Sequence, residues 1–174
     1  QQVDSQRVTA IVSALHKELD AAFFTSSSKI LASLRGLSAP ELDAVRREYK
    51  GHYGGNLDDL VKQNLKGAEL AEAQASLSGE KARSYAAALA HSQGTLGIDH
   101  AKVKEVLNEI NACPEPQRKD LLSKVKAEYN TLTHKELDKE LSEQLSDKNT
   151  VSGKLLNAVT FGSYGQSVHK DADS

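Results

Sequence analysis

The chain has no methionine, no tryptophan, one cysteine, three prolines and no long apolar run. Each shortage narrows what it can be. Without Met, and beginning Gln1-Gln2, the sequence is expected to be a segment of a longer polypeptide or a processed form. The lone Cys113 cannot close an internal disulfide, which is compatible with a reducing compartment. No signature supplies a base beside it, so Cys113 reads as packing filler rather than a nucleophile. No stretch nears the roughly 18 apolar residues of a membrane span, and no signal-like apolar core is present. The location is left open, and a peripheral membrane position is compatible with this. Lys and Arg total 22 against 24 Asp and Glu, giving a net charge of −2 and a pI near 6.3. That balance argues against a nucleic-acid partner, whose footprint is basic. The nearest thing to a basic patch, Arg118, Lys119, Lys124 and Lys126, is broken by Asp120 and Glu128 and reads as a solvated helix face.

What is present is 174 residues, 39% hydrophobic and 26% charged, the composition of an ordinary soluble globule. A chain of this length buries about 70% of its unfolded surface, enough for a core of its own. One stretch comes back. Glu48–Leu65, EYKGHYGGNLDDLVKQNL, is matched eighty residues later by Glu128–Leu145, EYNTLTHKELDKELSEQL. Glu, Tyr, Leu, Asp and the final Leu coincide without a gap, and Val61 meets Leu141. Internal repetition on this scale sets architecture.

Helical spacing runs through the whole chain. Asp4 or Ser5 can cap a first helix with Val8, Ile11, Val12, Leu15 and Leu19 on one side. A break over Leu19–Ser28 carries Phe23-Phe24 and then the capping residues Thr25–Ser28. The second helix carries Ile30, Leu31, Leu34 and Leu37. Ser38-Ala39-Pro40-Glu41 is a capping box with Pro in the first turn. It opens a third helix with Leu42, Val45 and Tyr49, stopped at Gly54-Gly55. Asn56 caps a short fourth helix that Gly67 ends, and Ala68–Leu77 is a small fifth.

After Ser78-Gly79 the order restarts. Ala82, Tyr85, Ala86 and Leu89 line a helix ending near Gly94, and Asp99 caps the next one (Val103, Val106, Leu107, Ile110). Cys113-Pro114-Glu115-Pro116 reads as a rigid connector. Leu121, Leu122, Val125 and Tyr129 mark a third helix. Thr133-His134-Lys135-Glu136 reads as a second capping box, opening a helix with Leu137, Leu141 and Leu145. A last helix holds Val151, Leu155, Leu156 and Val159. No segment alternates with period two for long enough to be a strand. The expected fold is all-α: five helices, twice, over 1–78 and 79–161, packed into one compact bundle, with a polar, disordered tail at 162–174.

Five helices per unit, with a short-helix pair after a helix ending in Tyr, resembles the annexin repeat over roughly residues 6–161. Gly97-Ile98-Asp99-His100 with Val103 and Leu107 fits the family's first loop in the second half. Phe24-Thr25-Ser26-Ser27 with Ile30 and Leu34 occupies it in the first half. Tyr53-Gly54-Gly55-Asn56-Leu57, followed by Asn64-Leu65-Lys66-Gly67, is similar to the later Y-G-x-D-L…S-E-L-x-G segment. His134–Leu137 with Gln144–Asp147 matches that segment more loosely. The resemblance implies loops that face a membrane, here Phe23, Phe24, Thr25, Gly94, Thr95, Leu96 and Gly97. It also implies Ca²⁺ held by loop carbonyls and one distant carboxylate. That carboxylate position is Asn64 in the first half and Gln144 in the second, both neutral amides. Ca²⁺ wants six to eight oxygens, with anionic ligands setting much of the affinity. Gly97, Asn64 and Gln144 are therefore vestigial positions, and no cofactor beyond weak calcium is expected.

The resemblance implies phospholipid as a partner, with another protein, or a second copy completing a four-repeat core, as further choices. Phe23-Phe24 either wedges into lipid without calcium or tucks its rings under the loop into the core. His16 with Asp20, and His134 with Asp138, have i,i+4 spacing, but one His and one carboxylate are an incomplete metal site. Thr25–Ser28 lacks a partner base, and Gly94-Thr95-Leu96-Gly97 lacks the Gly-Lys-Ser/Thr ending of a phosphate loop. No enzyme is expected here. The expected function is a non-enzymatic, annexin-like binding module of a larger protein. The alternatives are a purely structural or protein-interaction domain, or an accessory domain of a toxin or enzyme whose catalytic part lies elsewhere.

Overall fold

Asp4 accepts hydrogen bonds from the backbone N–H groups of Gln6 and Arg7 and so starts α1, Ser5–Leu19. The computed structural model describes residues 3–20, 26–94 and 97–144. Ser26 caps α2, Ser27–Leu34, and Ser38 caps α3, Ala39–Tyr53. The Ser38–Glu41 capping box forms as expected: Oε1 of Glu41 accepts from the Ser38 N–H at 3.1 Å, and Ser38 Oγ from the Glu41 N–H at 3.3 Å. Such a box typically contributes about 1 kcal/mol. Gly54 ends α3 in the left-handed conformation, and Asn56 caps α4, Leu57–Asn64. Next come α5, Gly67–Leu77, and α6, Lys81–His91. Then α7, His100–Asn111, capped by Asp99, is followed by α8, Glu115–Thr133, and α9, Leu137–Gln144. The protein is all-α.

The chain divides into two compact units, 1–85 and 86–174, and the division falls within α6. In the first unit α1 packs on α2 and α3, α2 on α5, and α3 and α5 on α4. The helical stripes meet in one core that includes Val12, Leu15, Ile30, Leu34, Val45, Tyr49, Val61 and Ala73. Burying each of the larger side chains is worth roughly 1.5–3 kcal/mol, set against its lost freedom. A buried polar seam borders this core. The Gly36 N–H donates to Ser84 Oγ at 3.1 Å, and Ser84 Oγ lies 2.7 Å from Ser76 Oγ. Gly36 has φ +76°, and a methyl group there would collide with the Tyr85 ring and hydroxyl. In the second unit α7 and α9 each pack on α8. Val103, Val106, Leu107, Ile110, Val125, Tyr129, Leu137 and Leu141 are buried.

Several boundaries differ from the sequence reading. Leu37 lies beyond the end of α2, yet is buried, because Gly36 turns the chain back toward the core. Gly67 opens α5 rather than closing α4. Between α6 and α7 the backbone makes a small antiparallel ribbon, β1 (Gln93–Gly94) against β2 (Gly97–Ile98), too short for any period-two signal. Pro116 lies in the first turn of α8, where its missing N–H costs nothing, so the rigid connector is only Cys113-Pro114. Thr133 does not cap α9. It ends α8, donating from Oγ1 to the Tyr129 carbonyl at 2.8 Å, and His134 takes the left-handed turn that follows. Capping needs the Thr immediately before the first helical residue, and α9 starts only at Leu137. The helix expected around Val151–Val159 and the tail lie outside the described residues.

Candidate functional site

The loops singled out above join α1 to α2 and α6 to α7. Phe23, Phe24, Thr25, Thr95 and Leu96 lie outside the described residues, so the structure gives only the stems that hold them. At the first stem Glu18 is buried on α1, with 8% of its surface exposed. Its Oε2 accepts from the Ser26 N–H at 3.0 Å, while Lys29 Nζ lies 3.6 Å from Oε1. One carboxylate thereby ties the end of α1 to the start of α2. Beside it the His16 ring stacks on Tyr53, with centroids 3.5 Å apart and planes 5° apart. His16 Nε2 lies 3.8 Å from Asp20. Burial, then Asp20 and Tyr53, raise the hydroxyl pKa of the adjacent Tyr49.

At the second stem Gly94 and Gly97 face each other across the ribbon, both exposed. Gly97 has φ +121°, a conformation a side chain would strain. The Asp99 N–H donates to the Ser92 carbonyl at 2.7 Å, and the Asp99 carboxylate accepts from the Lys102 N–H at 3.1 Å. The nearest acidic group in that loop is thus engaged as a helix cap. Tyr129 is hydrogen-bonded by the Gln93 side chain.

The two positions expected to supply a calcium carboxylate end the short helices. Asn64 is the last residue of α4 and donates from Nδ2 to the Leu60 carbonyl at 2.8 Å. It contributes no negative charge. Gln144 is the last residue of α9, and its side chain lies outside the described residues. Among the described residues no group of three or more His, Cys, Asp or Glu side chains could hold a metal ion. Among the described residues, then, no set of anionic oxygens converges on one point as a tight Ca²⁺ site requires.

Two further expectations meet the geometry. His134 and Asp138 do not share a helix face, because His134 is the turn between α8 and α9; Asp138 sits 3.0 Å from Lys126 instead. Lys124 is 2.9 Å from Asp120 on the same helix, and Arg118 donates to Asn111 at the end of α7, so these two members of the basic run have partners. Cys113 is half-buried and in no disulfide. Nothing local marks the His16–Tyr53 stack, which joins residues on different helices.

Among the described residues no helix is long and apolar enough to cross a membrane. The class is an all-α helical protein, and several solved structures are similar to it. The chain resembles annexin III (19% identity over 87% of this chain and 44% of that one, TM-score 0.41). It resembles a mutant of annexin A8 (13% identity, 88% and 48%, TM-score 0.45) and a calcium-bound alpha-14 giardin (17% identity, 94% and 52%, TM-score 0.45). Two of the three bear the name of the family that the sequence resembles. The chain spans about half the length of these structures. No protein-family model matches, and no curated protein does.

Proposed function

We propose that the chain is a non-enzymatic, annexin-like binding module of a larger protein, docking on a membrane surface or a protein partner without tight calcium binding. The observation that carries this is Asn64. Where the annexin pattern places a carboxylate, the chain has a neutral amide that donates to the helix carbonyl of Leu60. The segments 1–78 and 79–161 are two copies of one helical unit, and the short helices support this. Leu57–Asn64 and Leu137–Gln144 begin and end eighty residues apart, each after a left-handed turn, at Gly54 and His134.

Flotation with anionic liposomes, with Ca²⁺ or with a chelator, tests the reading. Flotation in both conditions is expected for membrane docking. Strictly calcium-dependent flotation would overturn the argument from Asn64. Absence of flotation in both leaves a protein-interaction domain as the surviving reading.

A further inference from the structure

The stem between α1 and α2 carries a groove of about 330 Å³, lined by Ala14, Lys17, Glu18, Lys29, Ala32 and Ser33. Its chemistry is lopsided. Both Glu18 oxygens are engaged internally, one by the Ser26 N–H and one by Lys29. The Lys29 side chain is nonetheless 70% exposed, and an ammonium has three donors, so one carboxylate oxygen at 3.6 Å does not saturate it. Lys17 is exposed on the facing helix. Two cations and one anion therefore line the groove, which leaves it a net positive charge. Ala14, Ala32 and Ser33 leave room between them.

We propose that this groove seats the phosphate of an anionic phospholipid headgroup, with Lys17 and Lys29 as its ligands. The proposal rests on the membrane-docking reading above and gives it a calcium-independent contact. Charge complementarity favours it. A chain of net charge −2 has no general attraction to an anionic surface, so any attraction has to be local. Position favours it too. The groove lies at the stem of the segment that carries Phe23-Phe24, and stable membrane attachment needs two signals, an apolar one and a basic one. Each lysine near an anionic leaflet is worth ~1 kcal/mol, about fivefold in affinity.

The test is co-sedimentation of the intact chain, in chelator, with vesicles of phosphatidylcholine alone or mixed with phosphatidylserine. The expected result is binding to the mixed vesicles only, weakened about twenty-five-fold by Lys17→Gln with Lys29→Gln. Lys17→Arg with Lys29→Arg should bind as the parent does, which separates charge from folding, and thermal melts should show both variants folded. If the Gln pair binds like the parent while Phe23→Ser with Phe24→Ser does not, the groove assignment is overturned and the membrane reading stands. If the parent ignores both vesicles, the membrane reading itself fails. Inorganic phosphate should displace the protein from the mixed vesicles more than chloride does at equal ionic strength; equal displacement by the two salts would mean general charge attraction and would overturn the phosphate assignment.

Discussion

Arg46 grips Asp58 with two N–H···O bonds, each 3.1 Å, and passes a third, of 2.7 Å, to the carbonyl of Leu77. One guanidinium thus ties α3 to the first turn of α4 and to the last residue of α5. Eighty residues on, the same two positions hold Lys126 and Asp138, 3.0 Å apart. The recurrence of an ion pair across different helices is independent of the apolar pattern, and it supports the proposal that one helical unit was duplicated.

A guanidinium is a planar fork and an ammonium a point charge, so the two clamps are unequal. Arg46→Lys should lower stability by about 1 kcal/mol. The figure is kept small because Arg46 and Asp58 are 35% and 41% exposed and water screens the pair. Lys126→Arg should raise stability by about 0.3 kcal/mol. Urea denaturation of both variants checks this. A loss of stability in the Lys126→Arg protein would show that the second corner is built differently from the first.

Calcium affinity should respond to restored charge in one half only. On the proposed annexin-like reading, Gln144→Glu restores the carboxylate that the family pattern pairs with the loop carrying Gly94 and Gly97, and should tighten Ca²⁺ binding by about tenfold or more. Asn64→Glu should have no such effect, because Phe24 stands where the first loop would need glycine. Titration calorimetry of the two variants decides. Equal gains in both would mean that loop glycines matter less than the carboxylate.

A half-buried carboxyl, Glu41, and a buried hydroxyl, Tyr49, make the stability of the first unit depend on pH at opposite ends. Burial pushes the Glu41 carboxyl up, but the Ser38 N–H and hydroxyl, with Arg7 and Lys81, outweigh it and hold the group below its ordinary 4.5. Its contribution is therefore present above 4.5 and lost as pH falls through the lower folded value. Glu41→Gln keeps the capping geometry and should flatten the acid limb of the stability curve. Tyr49 runs the other way. Burial, then Asp20 and Tyr53, raise its hydroxyl above 10.0, so its contribution is full below 10.0 and lost as pH rises through the folded value. Tyr49→Phe should reduce alkaline unfolding. Urea midpoints measured across pH, acid for the first and alkaline for the second, test both signs.

How much of this could be read in advance depends on range. Helix starts are local chemistry, and Asp4, Ser26, Ser38, Asn56 and Asp99 all accept the expected backbone bonds. Thr133 shows the limit of that logic. It has the same Ser/Thr-x-x-Glu spacing as Ser38, but the pattern does not say whether the preceding helix has ended, and α8 runs on through it. Contacts across dozens of residues leave no local mark. Thr9 bonds Glu48, Arg46 bonds Leu77, and Gln93 bonds Tyr129, each on a different helix or strand from its partner. The neutral amides at 64 and 144 were legible because they are single residues in a motif. The groove between Lys17 and Lys29 was not, since only folding brings the two sides of a helix break together.

His134 is the one non-glycine with positive φ among the described residues, at 60°, and the position eighty residues earlier is Gly54, at 75°. The left-handed region costs an ordinary L-residue roughly 1–2 kcal/mol, while glycine gives back about 0.5–1 kcal/mol through its freer unfolded chain. The sum has a definite sign at both corners. His134→Gly should raise stability by about 0.5–1 kcal/mol, and Gly54→His should lower it by a similar amount, since a side chain added at Gly54 meets no atom within 4 Å and only the backbone objects. Both corners end a long helix and lead into a short one, so the double variant exchanges the residues between places that the proposed duplication makes equivalent. Thermal melts of the two single variants and the double should show opposite shifts that nearly cancel. A stabilising Gly54→His would mean that the two turns do not carry the same strain, and the equivalence of the corners would fall with it.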